Sequence, residues 1–234
     1  MNYWRDFWKS KGDIEDLNFQ VAVARTRDKK PISPEVWKQT IAILSDLIPN
    51  HNYSSVLDLC GGNGLFMPLL LSKSSKVTVV DINVQLLNQN IMMEKKYDLS
   101  NKEIFYVNSD AINYLKNSDN VYDFIFLYAG LQYFSESEVV ILFELMYDKL
   151  STDGLIFIGD IPDIQCRSHF LIQSGKQEIY FDSIKRNEPI IGTWFDKGFL
   201  ELLAKRVGFR EIRVITQHPI MIYSDFRFDL ILNK

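Results

Sequence analysis

The sequence predicts an α/β protein built on a mostly parallel sheet that ends in a C-terminal antiparallel hairpin. Three observations carry this. From residue 54 to 160, short apolar runs alternate with segments of helical periodicity, the order that joins parallel strands by right-handed crossovers. The runs are almost continuously apolar, as when both faces of a sheet are covered. The chain closes with two strand-like runs and no helix between them, which pair antiparallel at a sheet edge.

The elements follow in order. Tyr3, Trp4, Phe7 and Trp8 recur at helical spacing, which suits a helix packed on the domain, a dimer contact or a lid over a pocket. QVAVARTRDKKPIS (20–33) is polar and brings Arg25 and Arg27. A helix starts after it: Ser33 is a good N-cap, Pro34 fits the first position, and Glu35 favours the positive end of the dipole. Trp37, Ile41, Leu44 and Ile48 continue at helical spacing. Strands are expected at SSVLDLC (54–60), KVTVVD (76–81), EIFYVNS (103–109), YDFIFLY (122–128) and GLIFIGD (154–160), with helices near 63–72, 84–97, 110–117 and 135–149. Residues 161–195 read as irregular and part-helical, with Phe170, Tyr180, Phe181, Trp194 and Phe195 to wall a pocket. A helix at 196–207 precedes the last strands, REIRVITQ (210–217) and FRFDLILN (226–233). The chain thus divides into an N-terminal helical or lid segment, 1–53, and a main domain, 54–234, in which 161–195 forms a cap.

The bulk composition narrows the function. The chain has 234 residues, 47% hydrophobic and 24% charged, enough for one α/β domain with a sizeable core. A net charge of -4 argues against a general nucleic-acid binder. Cys60 and Cys166 make no disulfide framework and no zinc pattern. The N-terminus lacks the apolar core of a secretory signal, and no apolar run is long enough to cross a bilayer. The expectation is a cytoplasmic protein, a monomer or homodimer, with no membrane or nucleic-acid partner.

The first strand runs straight into glycine, in VLDLCGGNGLF (56–66). Glycines there turn the chain tightly and let backbone approach a ligand. A helix expected near Asn63 would aim its free N–H groups into the same crevice. A dinucleotide motif would need a third glycine where Met67 stands, and no P-loop string exists. The stretch from Asp58 through Gly62 to Gly64 closely resembles the E/D-x-G-x-G-x-G motif of class I S-adenosylmethionine-dependent methyltransferases. Cys60 takes the place of the first glycine. Further resemblances follow in family order: Asp81 in VVDIN, Ser109-Asp110-Ala111 after the third strand, YDFIFLYAGLQYF at the fourth, and GFLELLAKRVGFREIRVI near the end. They cover roughly residues 54–234, about three quarters of the chain.

The resemblance implies a Rossmann-like seven-stranded methyltransferase fold, six strands parallel and the last antiparallel. It implies S-adenosylmethionine as cofactor and S-adenosylhomocysteine as product. Asp58, with the Cys60, Gly61, Gly62 and Gly64 loop, would hold the cofactor's amino-acid end. Asp81 would accept both ribose hydroxyls, Ile82 would lie on the adenine face, and Asp110 with Ala111 would meet the adenine edge. Tyr128 would line the methyl end. From the polar 20–33 segment itself, Arg25 or Arg27 is expected to meet the cofactor's carboxylate as a lid closes. For the acceptor side the candidates are Tyr133, Asp160 and His169, the last two as bases. No metal is expected, because Tyr128 stands where a strand-four carboxylate ligand would be. The amine-methylating N/D-P-P-Y/F string of nucleic-acid enzymes is absent, so a small-molecule acceptor is expected, methylated at O or N, a sugar or secondary metabolite among the choices. Three alternatives stay open: a non-catalytic cofactor-binding partner subunit, an aminopropyl transferase, and a nicotinamide oxidoreductase.

Overall fold

Seven strands form one sheet: β1 (Val56–Leu59), β2 (Lys76–Asp81), β3 (Glu103–Asn108), β4 (Tyr122–Tyr128), β5 (Leu150–Pro162), β6 (Glu211–Thr216) and β7 (Arg227–Asn233). The structure, a computed structural model, describes residues 3–11, 18–27, 29–96, 99 and 101–234, apart from the side chains of 95 and 96. Across the sheet the order is β3-β2-β1-β4-β5-β7-β6. Strands β1 to β5 pair in parallel. Strand β7 inserts antiparallel between β5 and β6. Six strands therefore run one way and β7 against them, as the two closing runs predict. A short ribbon, Thr26–Arg27 against Lys30–Pro31, lies outside this sheet.

The helices of seven residues or more are α1 (Tyr3–Ser10), α2 (Pro34–Leu47), α3 (Met67–Lys73), α4 (Val84–Lys96), α5 (Ala111–Asn117), α6 (Glu136–Asp148), α7 (Arg167–Gln173), α8 (Gln177–Lys185) and α9 (Lys197–Val207), with a single turn at Phe19–Ala22. Several starts follow from local chemistry. Ser33 caps α2 and Asp196 caps α9 through their side chains. Ser135 and Glu138 form a reciprocal capping box on α6. Gly208, at φ 117°, ends α9 in the left-handed conformation. Tyr97, the expected end of α4, lies outside the described residues.

Side-chain alternation along the strands splits the core in two. Val56, Phe124, Phe126 and Phe157 pack with Leu44 of α2 and Leu69 and Leu70 of α3. Leu57, Leu59, Ile125 and Ile156 pack with Leu115 of α5, Phe143 of α6 and Leu200 of α9 on the other face. The chain leaves β1 toward β2 on one side, while β4 lies on the other. The strand order thus reverses at β1 and β4, and ligand crevices open at the carboxyl ends of such strands.

At that end three neighbouring strands turn the same way. Cys60 after β1 (φ 56°), Ala129 after β4 (φ 55°) and Asp160 in β5 (φ 63°) all adopt left-handed backbone without being glycine. Asp160 sits where the β5–β7 register shifts, between Ile158 and Ile161. Such conformations persist where the surroundings over-determine them, and they gather at functional sites.

Candidate functional site

A cavity of about 930 Å³ opens over these strand ends. Its size falls in the upper part of the range for small-molecule sites. The glycine loop forms one wall. Gly64 N–H donates to the Gly61 carbonyl and Met67 N–H to that of Gly64, closing two successive turns. These turns displace the expected helix start: α3 begins at Met67, not near Asn63, and Phe66 caps it without a side-chain bond. Gly62 and Gly64 hold φ of 54° and 75°, which a right-handed helix cannot contain, and Pro68 fits the first turn that follows. Backbone from the loop, and not a helix terminus, therefore faces the crevice.

Cys60 explains how the loop does without its first glycine. Left-handed backbone costs a side chain about 1–2 kcal/mol. Cys60 recovers part of this by packing against the core, and glycine would lose about 0.5–1 kcal/mol in chain entropy. Cys60→Gly is expected to change stability by less than about 1 kcal/mol, read from urea midpoints.

Asp81 ends β2 beneath the loop. Its Oδ2 accepts from Gly62 N–H at 2.9 Å and its Oδ1 from Asn83 N–H at 2.8 Å. Burial pushes its carboxyl up to about 6, against the pull of those backbone donors. It does not cap α4: the Asn83 side chain does, accepting from Gln85 and Leu86 N–H. Asp58 is 3% exposed, and its carboxylate makes no hydrogen bond among the described residues. Burial, then the neighbouring Asp81 charge, raises its carboxyl well above the usual range. Asp110 caps α5 through Asn113 N–H and also pairs with Arg5 Nε at 3.0 Å. Ile82 and Ala111 line the cavity between these acids.

Helix α1 crosses the mouth. Trp4 and Trp8 lie 4.9 and 5.4 Å from the Tyr133 ring. Arg5 bridges Asp110 and Glu138, and Asn83 Nδ2 donates to the Trp8 and Lys11 carbonyls. The aromatic segment thus packs on the domain, with Trp4, Phe7 and Trp8 lining the cavity.

The other half of the cavity is a buried polar network. Asp160 Oδ2 lies 3.2 Å from Arg25 Nη1 and 3.3 Å from Arg227 Nη1. Arg25 also donates to the Tyr128 hydroxyl at 3.2 Å and stacks over the Tyr128 ring at 4.8 Å. Arg227 Nη1 donates to Gln132 Oε1 and to the Asp160 carbonyl. Behind them Asp229 Oδ1 accepts from Asp160 N–H at 2.8 Å and from Gln217 at 2.7 Å. Burial brings the Asp229 carboxyl up to about 7.

The expected residues are placed unequally. Asp58, Cys60, Gly61, Gly62, Asp81, Ile82, Asp110, Ala111, Tyr128, Tyr133, Asp160 and Arg25 line one cavity. Gly64 shapes the loop from behind, its α-carbon turned toward Asn90. Arg25 is not a mobile lid residue: it is 4% exposed and already bound to Asp160 and Tyr128. Asp160 Oδ2 is already engaged by two guanidiniums, Arg25 and Arg227. His169 is exposed on α7 and outside the lining; that helix turns Leu171 to the interior and leaves the histidine in solvent. Of the five aromatics expected to wall the pocket, Phe170 does so. Tyr180, Trp194 and Phe195 are buried in packing, and Phe181 is exposed. Arg227, Asp229 and Arg5 were not foreseen. The signal for the first two was present: charges at alternate positions inside the apolar run FRFDLIL mark buried charge that needs partners.

Residues 56–154 match the family model of a methyltransferase domain. Solved structures agree on the fold. An O-methyltransferase family protein from Burkholderia thailandensis aligns at TM-score 0.66 and 12% identity, over 92% of this chain and 57% of its own. An N-methyltransferase from Bradyrhizobium japonicum aligns at 0.57 and 15%, over 86% and 94%. Magnesium protoporphyrin IX methyltransferase from Synechocystis, with bound S-adenosylmethionine, aligns at 0.63 and 11%, over 100% and 98%. The chain thus spans little more than half of the Burkholderia protein and nearly all of the other two. No curated protein sequence matches it. The fold is that of the S-adenosylmethionine-dependent methyltransferases, but 1252 solved chains match it, so fold alone selects no acceptor. Among the described residues no three His, Cys, Asp or Glu side chains cluster to hold a metal ion, and no helix is long and apolar enough to cross a membrane.

Proposed function

We propose that the methyltransferase domain takes its methyl group from S-adenosylmethionine, releases S-adenosylhomocysteine, and methylates an O or N atom of a small molecule held beside it. The observation that carries this reading is Asp81. Gly62 and Asn83 N–H groups fix its carboxylate at the strand end, and each oxygen keeps a lone pair for one of two vicinal hydroxyls. The rest of the lining fits the same group. The unbonded Asp58 carboxylate suits an ammonium, with Cys60, Gly61 and Gly62 offering backbone beside it. Ile82 supplies an apolar surface for a base, and Asp110 with the Ala111 N–H supplies its polar edge. Tyr128 closes the opposite end.

When bound, the sulfonium supplies a methyl group that is already electrophilic. The chain's own part is then to orient the acceptor and exclude water. Helix α1 covers the mouth, and residues 161–195 act as the acceptor-side cap. Burial pushes the Tyr133 phenol up to about 12, so at neutral pH it donates a hydrogen bond to the acceptor and does not remove a proton. Asp160 positions the two arginines.

Calorimetric titration with S-adenosylhomocysteine tests the reading, with binding expected near one per chain. Asp81→Ala is expected to weaken it by about 1–3 kcal/mol, roughly 5- to 150-fold; unchanged affinity in a folded variant removes Asp81 from the site. Wild-type affinity is also expected to fall as the pH drops through about 6, where Asp81 takes up a proton and loses its acceptor charge. Asp81→Asn should lack that step.

A further inference from the structure

We infer that the acceptor is a carboxylic acid with an apolar or aromatic body, and that its carboxylate docks on the free edge of Arg227. The inference rests on the methyl-transfer reading for its context, and on three observations of its own. The first is a separation of charge within the cavity. Asp58, Asp81 and Asp110 gather at the ends of β1, β2 and β3, where the cofactor is placed. At β5 and β7 two guanidiniums, Arg25 and Arg227, share the single carboxylate Asp160. Among the described residues no other acid comes within ion-pair distance of either, and Asp229 spends its Oδ1 on the Asp160 N–H and Gln217. By ion pairing, two guanidiniums thus share one carboxylate in that half of the cavity.

The second observation is which nitrogens are spent. Every bond that Arg227 makes goes through Nη1, to Gln132, to the Asp160 carbonyl and to the Asp160 carboxylate. Its Nε is buried with no partner, and Nη2 makes no hydrogen bond among the described residues. The side chain is only 7% exposed and lines the cavity. A buried N–H donor left unpaired is costly, and native structures seldom keep one without a use. Nε–H and one Nη2–H point along the same edge of the planar guanidinium, matching the two oxygens of a carboxylate.

The third observation is the apolar setting of that edge. The Arg227 guanidinium carbon lies 5.0 Å from the Tyr223 ring and 5.1 Å from the Phe226 ring. Phe170 packs on Phe226 at 4.3 Å, and Phe170, Tyr223 and Phe226 all line the cavity. An acid seated here would lay its carbon body on these side chains.

The test is calorimetry on the full chain saturated with S-adenosylhomocysteine. The probes are 4-hydroxybenzoate and 3-phenylpropanoate, their neutral amides, and phenyl phosphate. The acids are expected to bind at least ten-fold tighter than the amides and tighter than the phosphate. Arg227→Gln should lose at least ten-fold in acid affinity while S-adenosylhomocysteine still binds. Arg227→Lys, which keeps the charge but lacks the two-donor edge, should fall between; it decides the matter if the glutamine variant does not fold. Equal binding of acids and amides, preference for the phosphate, no acid binding beside a bound cofactor product, or an Arg227→Lys variant that binds like wild type each overturn the inference. If S-adenosylhomocysteine itself fails to bind, the cofactor reading falls alone. The same probes on the ligand-free protein then decide the acid site by the same criteria.

Discussion

Asp160→Ala is expected to destabilise the chain by about 3–5 kcal/mol, the scale for breaking a buried ion pair. The size comes from what is left behind. Arg25 is 4% and Arg227 8% exposed, and a guanidinium does not shed its proton to escape burial. Both would keep a full charge in a space too enclosed for bulk water. Asp160 also anchors backbone, since Arg227 grips its carbonyl and Asp229 its N–H, so the bulged end of β5 would loosen with it. Asp160→Asn should cost less, because the amide oxygen still accepts from one arginine. Urea denaturation of the ligand-free protein measures both. A loss under about 1 kcal/mol for the alanine variant would mean that Asp229 or entering water takes over the arginines, and that the network is softer than its distances imply.

Gly64→Ala is the second large effect. At φ 75° the backbone is left-handed, costing a side chain about 1–2 kcal/mol. The new methyl would also sit 2.2 Å from Asn90 Oδ1 and 2.4 Å from its Cγ. Asn90 is completely buried on α4 and has little room to retreat, so overpacking adds about 1–3 kcal/mol. The expected total is roughly 2–5 kcal/mol. Gly62→Ala provides the comparison. Its φ is also positive, at 54°, but the nearest atom to a new Cβ is Val23 Cγ1 at 3.3 Å. That variant should lose chiefly the conformational part, and equal midpoints for the two would refute the steric account.

The sheet could be read from the chain because its signals are local. Short apolar runs, the Ser33 and Asp196 caps and the missing helix before β7 each depend on a few neighbouring residues. The part of the cavity at the ends of β1 and β2 was legible for the same reason. Asp58, Gly62 and Gly64 lie within seven positions, and Asp81 lies at the end of the next strand. The part at the ends of β5 and β7 was not legible. It joins Arg25, Asp160 and Arg227, separated by 135 and 67 positions, and no local pattern says that they meet. His169 failed for a related reason: helix periodicity over 167–173 is too short to tell which face meets the core. The start of α3 was placed four residues early because an apolar run after glycine reads as helix, while the left-handed turns that delay it appear only in the backbone.

The placement of the tryptophans has an optical consequence. The chain has four of them, and all abut the cavity. Trp4 and Trp8 line it, Trp37 packs on the lining residue Phe66 at 5.2 Å, and Trp194 packs on Phe170 and Phe226 at 5.8 Å each. No indole emits from a distant part of the molecule to dilute the signal. Intrinsic fluorescence is therefore a built-in reporter of this one chamber, able to follow the filling of either half in stopped flow without a label. Trp4→Phe together with Trp8→Phe would silence the α1 side, and Trp194→Phe the side at Phe170 and Phe226.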